Sequence, residues 1–190
     1  MLTIVCKATY VLTPGESPLA SAQDEPNEAD GYWNDEETRS LNFASDLAPF
    51  KRRADVLVVG HAFAPERRPI GSLVARVVVG EVDKAIAVFG DRTWTASGET
   101  REPARFVKMP LRWERTAGGS GTTNPVGVRM GDVGPERYTE AGLPNLQATD
   151  AYLVSPADVL EPAGFGPIAP RWPGRIAKLH RHAAEWDAAR

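Results

Sequence analysis

Apolar residues cluster in short runs along this chain, and Gly, Pro and charged residues separate the runs. Five runs are rich in Val, Ile, Thr and aromatic residues, which favours strands. They are residues 2–12, 56–63, 72–79, 84–89 and 106–113. The run 56–63 is almost continuously apolar, which predicts a strand buried on both faces. The short Gly-containing link after residue 79 predicts a hairpin between the third and fourth runs.

Pro110 interrupts the last of these runs, so that run predicts an edge strand or a bulged strand. The 17 Gly and 16 Pro suit short strands and ordered turns better than a helical bundle. The predicted fold class is therefore mainly β, an antiparallel β-sandwich or partly open barrel. A length of 190 residues predicts one domain spanning residues 1–190.

Three segments depart from the strand pattern. Residues 17–38 are polar and acidic, and predict a long loop with at most a short strand around Tyr32 and Trp33. Residues 118–173 are rich in Gly and Pro but carry spaced apolar anchors, which predicts an irregular chain laid over the sheet. Residues 175–189 predict a C-terminal helix, because their apolar residues fall at helical spacing: Ile176, Leu179, Ala183 and Trp186.

Charge and cysteine content narrow the class of protein. With 22 basic and 25 acidic residues the net charge is −3, which argues against a nucleic-acid-binding protein. The one cysteine, Cys6, lies in an apolar run and predicts a buried free thiol, as expected in a reducing compartment. No run approaches the roughly 18 apolar residues of a membrane helix. These features predict a cytoplasmic protein without membrane or nucleic-acid partners.

Candidate metal and phosphate sites find little support. His61 has only His180 and His182 as companions, and those two are two residues apart on the predicted helix, so they face different ways. The Gly-rich segment 118–123 lacks the Lys and the following helix of a phosphate-binding loop. The sequence predicts no metal and no cofactor.

Acidic residues at the predicted strand ends leave an enzymatic alternative open. Asp46, Asp55, Asp91 and Glu114 each lie near a cation in sequence, which predicts charge-paired turns. A hydrolase would instead gather Asp46, Asp55, His61 and Asp91 in one cleft. A small-ligand carrier would need an enclosed apolar cavity on the order of 300 Å³ or more inside a barrel.

Tryptophan and arginine residues are the best candidates for contact with another protein, because both types are enriched at protein–protein hot spots. The segment 112–115 reads Arg-Trp-Glu-Arg on the possible edge strand, and an exposed edge can accept a strand from another chain. The predicted partner-binding residues are Arg112, Trp113, Arg115, Trp172 and Trp186.

Several short motifs, in one order, resemble a bacterial family of unknown function that is associated with type VI secretion clusters. The matching segments are 5–10, 45–51, 55–65, 88–94, 109–115, 124–127, 143–145 and 162–168, and include Leu-Ala-Pro-Phe-Lys, Phe-Gly-Asp-Arg-Thr-Trp and Ala-Gly-Phe-Gly-Pro-Ile. The resemblance implies a cytoplasmic, non-enzymatic adaptor or chaperone that binds a secreted effector and helps to load it onto the secretion spike, with the spike-tip protein as a further partner. It implies no catalytic residues. Thr116 and Ala117 depart from the Ala-Phe that family members tend to have.

Overall fold

The computed structural model describes residues 4–47, 54–131 and 134–177, which form short strands joined by long irregular segments. The strands are β1 (Gly31–Tyr32), β2 (Leu41–Phe43), β3 (His61–Phe63), β4 (Ser72–Val79), β5 (Val82–Phe89), β6 (Lys108–Pro110), β7 (Ala117–Gly118), β8 (Val128–Arg129) and β9 (Leu146–Ala148). Single turns of 3-10 helix cover Trp33–Asp35, Pro65–Arg67, Trp113–Arg115 and Pro135–Arg137.

The β4–β5 hairpin is the longest regular feature and pairs without interruption from Ser72 with Phe89 to Val79 with Val82. Gly80 begins its two-residue turn with a φ of +56°, a conformation that glycine adopts without steric cost. Strand β9 adds to the other side of β5, which gives the order β4-β5-β9 and leaves β4 at the edge. The prediction of strands at 72–79 and 84–89, joined as a hairpin, is confirmed.

Smaller ladders surround this sheet. Strands β3 and β6 pair antiparallel, as do β1 and β2, whereas β7 and β8 pair in parallel. These ladders do not continue into one another, so the fold is mainly antiparallel β and is not a closed barrel. The mainly β fold class is confirmed.

Three clusters of buried side chains form the interior. The first joins Ile86 and Val88 of β5 to Leu146 of β9 and to Phe165. The second contains Leu41, Trp113, Ala169 and Trp172, and the third contains Trp94, Leu143 and Leu153. Many of these side chains come from residues 118–173, so this segment contributes much of the interior of the described structure.

Three strand predictions are wrong or too long. Residues 4–12 form no ladder beyond a single bridge from Tyr10 to Leu19, and Cys6 is exposed. In the run 56–63 only His61–Phe63 is a strand, and in the run 106–113 only Lys108–Pro110 is. Strand propensity alone does not supply a neighbouring strand, and without one an extended segment has no ladder.

The run 56–63 also lacks the predicted burial on both faces. Val58 donates its backbone N–H to the Phe165 carbonyl at 3.0 Å, so this part of the chain is hydrogen-bonded to an irregular segment and not to a strand. Val58 packs against the first cluster, but Val56, Leu57 and Val59 are exposed. These residues are apolar, and they are exposed because no segment among the described residues covers them.

The C-terminal helix is described only in its first turn, over residues 173–177. The rest of the predicted helix, with His180, His182 and Trp186, lies outside the described residues. Within the described ranges, no helix has the length and apolar character needed to cross a membrane.

Candidate functional site

The two tryptophans predicted to bind a partner, Trp113 and Trp172, are buried side by side in the second cluster. They are 8% and 6% exposed, and their rings meet edge to face with centroids 6.2 Å apart. The indole Nε1 of Trp113 donates to the carbonyls of Gly166 and Pro167 at 3.2 and 3.0 Å. Trp113 begins a 3-10 turn and is not on the edge strand that the sequence predicted.

The two predicted arginines are held by contacts within the chain. The guanidinium of Arg112 stacks over the Trp33 ring, 3.5 Å from its centroid. Arg115 donates from Nη1 to Asp91 and to Asn145, both at 2.9 Å. These contacts place Arg112, Trp113, Arg115 and Trp172 in the framework of the fold, and a direct role of the five predicted residues in partner binding stays a prediction.

The acidic residues at the predicted strand ends have different ion-pair and hydrogen-bond partners. Asp46 lies 3.1 Å from Lys7, and Asp91 pairs with Arg115. Glu114 accepts hydrogen bonds from the backbone N–H and the hydroxyl of Ser40 at 2.8 and 2.7 Å, which fixes the 3-10 turn against β2. Glu114 therefore has a structural role that its neighbours in sequence did not indicate.

The residues of the hydrolase alternative do not meet in one cleft. Asp55, Asp46 and Asp91 line three different cavities, and His61 lines none of these three. In the described part of the chain, no group of three His, Cys, Asp or Glu side chains is arranged to hold a metal ion. The carrier alternative required a barrel interior, which the unclosed sheets do not provide.

The environment of His61 predicts a measurable pH effect on stability. Partial burial lowers the pKa of His61 below its ordinary value of 6.5, and the nearby charges of Lys108 and Arg112 lower it further. The folded state therefore binds fewer protons than the unfolded state. His61 contributes its full stability above the unfolded pKa, and this contribution is lost as the pH falls toward the folded pKa. Urea unfolding should show a larger drop from pH 7 to pH 5 for the wild type than for His61→Gln; equal drops would contradict this.

The Gly-rich loop 118–123 is closed by its own hydrogen bonds. Thr122 donates its backbone N–H to Gly119, and Gly119 donates its own to Asn124. The buried Asn124 donates from Nδ2 to the carbonyls of Trp113 and Ala117 and to the Thr116 hydroxyl. Because these backbone N–H groups are already hydrogen-bonded within the segment, the structure gives no support to a phosphate-binding loop.

Four exposed apolar side chains line one depression on the surface, and we call them together the apolar surface: Ile4, Phe43, Leu57 and Val59. They surround a depression of about 560 Å³. Leu57 and Val59 are 47% and 42% exposed, although both come from the most apolar run of the sequence. A cluster of this kind on a protein surface is typical of an interaction site.

A groove of about 450 Å³ adjoins the apolar surface and shares Ala44, Ser45, Leu57 and Pro167 with its depression. The β4–β5 hairpin and residues 54–58 both contribute side chains to the lining of the groove. Its apolar walls include Val56, Val58, Val77, Val82 and Phe165. Lys84 also lines it, with its Nζ 5.6 Å from the Phe165 ring centroid.

The sequence did not reveal this surface, because an apolar run reads the same whether or not another segment covers it. The relevant pattern is the run 56–59, which lacks the alternation of apolar and polar residues that marks a strand with one solvent-facing side. A buried strand in the same position would have the same pattern.

Comparison with known proteins identifies a family but adds no characterised relative. The family model described as an uncharacterized protein conserved in bacteria, DUF2169, matches residues 1–190. The chain belongs to the DUF2169 family. No curated protein and no solved structure matches this DUF2169 chain.

Proposed function

We propose that this DUF2169 protein is a non-enzymatic adaptor that binds another protein through the apolar surface. The observation that carries the proposal is the exposure of Leu57 and Val59 beside Phe43, around a depression that no described segment fills. Burial of such side chains contributes about 25 cal/mol per Å² of apolar area removed from water. A protein that covers an aggregation-prone segment of a partner uses this kind of contact.

The class of partner proposed here is the one that the sequence resemblance implies. The motifs resemble those of a bacterial family associated with type VI secretion clusters, so the proposed partner is a secreted effector, with the spike-tip protein as a second partner. The adaptor would hold the effector in the cytoplasm before export and release it at the spike. Hand-over is easier when few side chains carry the affinity, as the compact apolar surface allows.

Affinity capture of the tagged chain from a host that expresses its secretion cluster tests this proposal. We expect one dominant protein encoded beside the secretion genes to be recovered in stoichiometric amounts. Recovery of no partner, or of the same mixture as an unrelated tagged protein, would count against the adaptor function.

Substitution of the apolar surface should weaken that interaction without unfolding the chain. Leu57→Ser combined with Val59→Ser should weaken partner binding at least tenfold, on the order of 1.4 kcal/mol or more, since hot-spot side chains contribute on this scale. The matched control is Val154→Ser, because Val154 is more exposed but lines neither the depression nor the groove. Binding should be measured by calorimetry with the captured partner. Equal affinities for the double variant and the control would exclude the apolar surface.

A further inference from the structure

Strand β4 presents an open edge for pairing. Gly90 donates its backbone N–H to the Gly71 carbonyl at 2.8 Å, so this pair is hydrogen-bonded, and bonded pairs alternate along an antiparallel ladder. The two-residue turn requires the same alternation of bonded and non-bonded pairs, because Val79 and Val82 flank the turn as a hydrogen-bonded pair. Phe89 accordingly turns its N–H away from β4 and donates to Asn145.

This alternation directs the backbone N–H and C=O groups of four residues toward the outer side of β4: Ser72, Val74, Arg76 and Val78. Among residues 4–47, 54–131 and 134–177, no strand pairs with that side of β4. The edge carries no proline or bulge to discourage pairing, and its register is unbroken over eight residues. Val74 and Val78 are 58% and 57% exposed. An open edge of this length is suited to the addition of a strand.

The groove supplies the side-chain component that strand addition uses for specificity. Side chains alternate along β4, so Leu73, Ala75 and Val77 face the core while Val74 and Val78 face outward. Val77 also lines the groove, opposite Val56 and Val58. A strand added beside β4 would therefore direct every second side chain toward this apolar groove.

Arg76 specifies the charge of the added strand. Its Nε and Nη2 donate to the carboxylate of Asp83 at 2.8 and 2.6 Å, which uses two of the five guanidinium N–H groups. A carboxylate on the added strand directly opposite Arg76 would accept from those that remain, and opposite charges across strands are favourable. A second copy of β4 paired symmetrically about Arg76 would instead bring two guanidinium groups together.

We propose that β4 docks an extended segment of a different protein, with apolar side chains on its groove side and an acidic side chain opposite Arg76. This inference rests on the proposed adaptor function and names the form of the partner segment. The apolar surface, which shares Leu57 with the groove, would contact the remainder of the same partner.

A synthetic strand peptide tests the edge independently of any captured partner. The probe is acetyl-Thr-Ile-Thr-Val-Glu-Val-Thr-Ile-Thr-amide with a fluorescent label, whose Ile and Val side chains share one face. Three control peptides are used. One carries lysine in place of glutamate. The other two carry N-methyl groups on alternate residues, in the two possible registers, so that each blocks pairing at one edge of the peptide. Binding is followed by fluorescence anisotropy on the full chain, and amide protons are followed by NMR.

We expect the peptide to bind saturably with a Kd below about 1 mM. One of the two N-methylation patterns should weaken binding at least tenfold. Bound peptide should slow the exchange of the backbone amide protons of Val74, Arg76 and Val78. Arg76→Glu should reverse the preference between the glutamate and lysine peptides. Absence of binding, indifference to both N-methylation patterns, or an unchanged charge preference in Arg76→Glu would overturn the proposal. Dimerisation of the chain through β4 in sedimentation experiments would also overturn it.

The two proposals fail in different ways. If the captured partner needs Leu57 and Val59 but its affinity is unchanged in Arg76→Glu and Val74→Pro, the adaptor function stands and the β4 edge is excluded. If the peptide binds β4 as expected but the host yields no partner, the edge stands and the adaptor function is excluded. Val74→Pro is suitable because the N–H that it removes points away from β5.

Discussion

Trp113→Ala is expected to destabilise the fold by about 3–5 kcal/mol, the range for removing a large buried aromatic side chain. Trp113 forms the centre of the second cluster, in edge-to-face contact with Trp172. Its truncation also leaves the carbonyls of Gly166 and Pro167 without the indole N–H that they share. The segment 164–168 is therefore expected to detach from the second cluster, together with the wall that it gives to the groove.

Urea unfolding monitored by circular dichroism measures this effect. Trp33→Ala is the control: Trp33 is partly exposed and stacks on Arg112, so its loss should cost much less. A loss of less than about 1 kcal/mol for Trp113→Ala would contradict the assignment of Trp113 to the core. The expected result also means that lost partner binding in this variant would report unfolding and not a binding contact.

Asn124→Asp should destabilise the fold by about 3 kcal/mol or more, because it replaces buried N–H donors with a charged acceptor. The Nδ2 of Asn124 lies 2.9 and 3.0 Å from the carbonyls of Trp113 and Ala117 and 2.8 Å from the Thr116 hydroxyl. A carboxylate oxygen in this position would face two carbonyl oxygens in a site that is 1% exposed. The loop 118–123 would lose the anchor that holds it to the 3-10 turn at Trp113.

The pH dependence separates charge repulsion from a general loss of packing. Burial beside carbonyl oxygens would raise the pKa of the introduced carboxyl above the unfolded value of about 3.9. The variant would therefore regain stability at pH values below the unfolded pKa of the introduced carboxyl group. It would lose that stability as the pH rises through the folded pKa. Chemical denaturation of Asn124→Asp and wild type from pH 7 to pH 4 should show a shrinking difference. The exposed Asn34→Asp is the control, and a constant difference for Asn124→Asp would contradict the mechanism.

The sequence was sufficient to predict the elements that local chemistry determines. The hairpin of β4 and β5 follows from two strand-forming runs and a glycine turn that are adjacent in sequence. The irregular course of 118–173 follows from its Gly and Pro, and several of its spaced apolar residues are buried, among them Leu143, Leu146 and Phe165, whereas Tyr152 is 47% exposed.

Long-range neighbours determine what the sequence did not predict. Strand β9 is only three residues long, and residues 146–148 form a strand because they pair with β5. The local sequence of these three residues does not predict a strand. The run 56–63 has the composition of a buried strand, but within the described part of the chain no layer covers Leu57 and Val59. Composition likewise marked Trp113 and Trp172 as anchors without showing that they pack against each other.

Hydrogen–deuterium exchange on the complex of the full chain with its captured partner tests the central claim most directly. If the apolar surface receives the partner, backbone amides of residues 54–60 should exchange more slowly in the complex than in the free chain, and those around Phe43 should follow. Residues 150–160, whose exposed Val154 and Val159 line neither the depression nor the groove, should be unchanged. Protection confined to 150–160, with none at 54–60, would contradict the account.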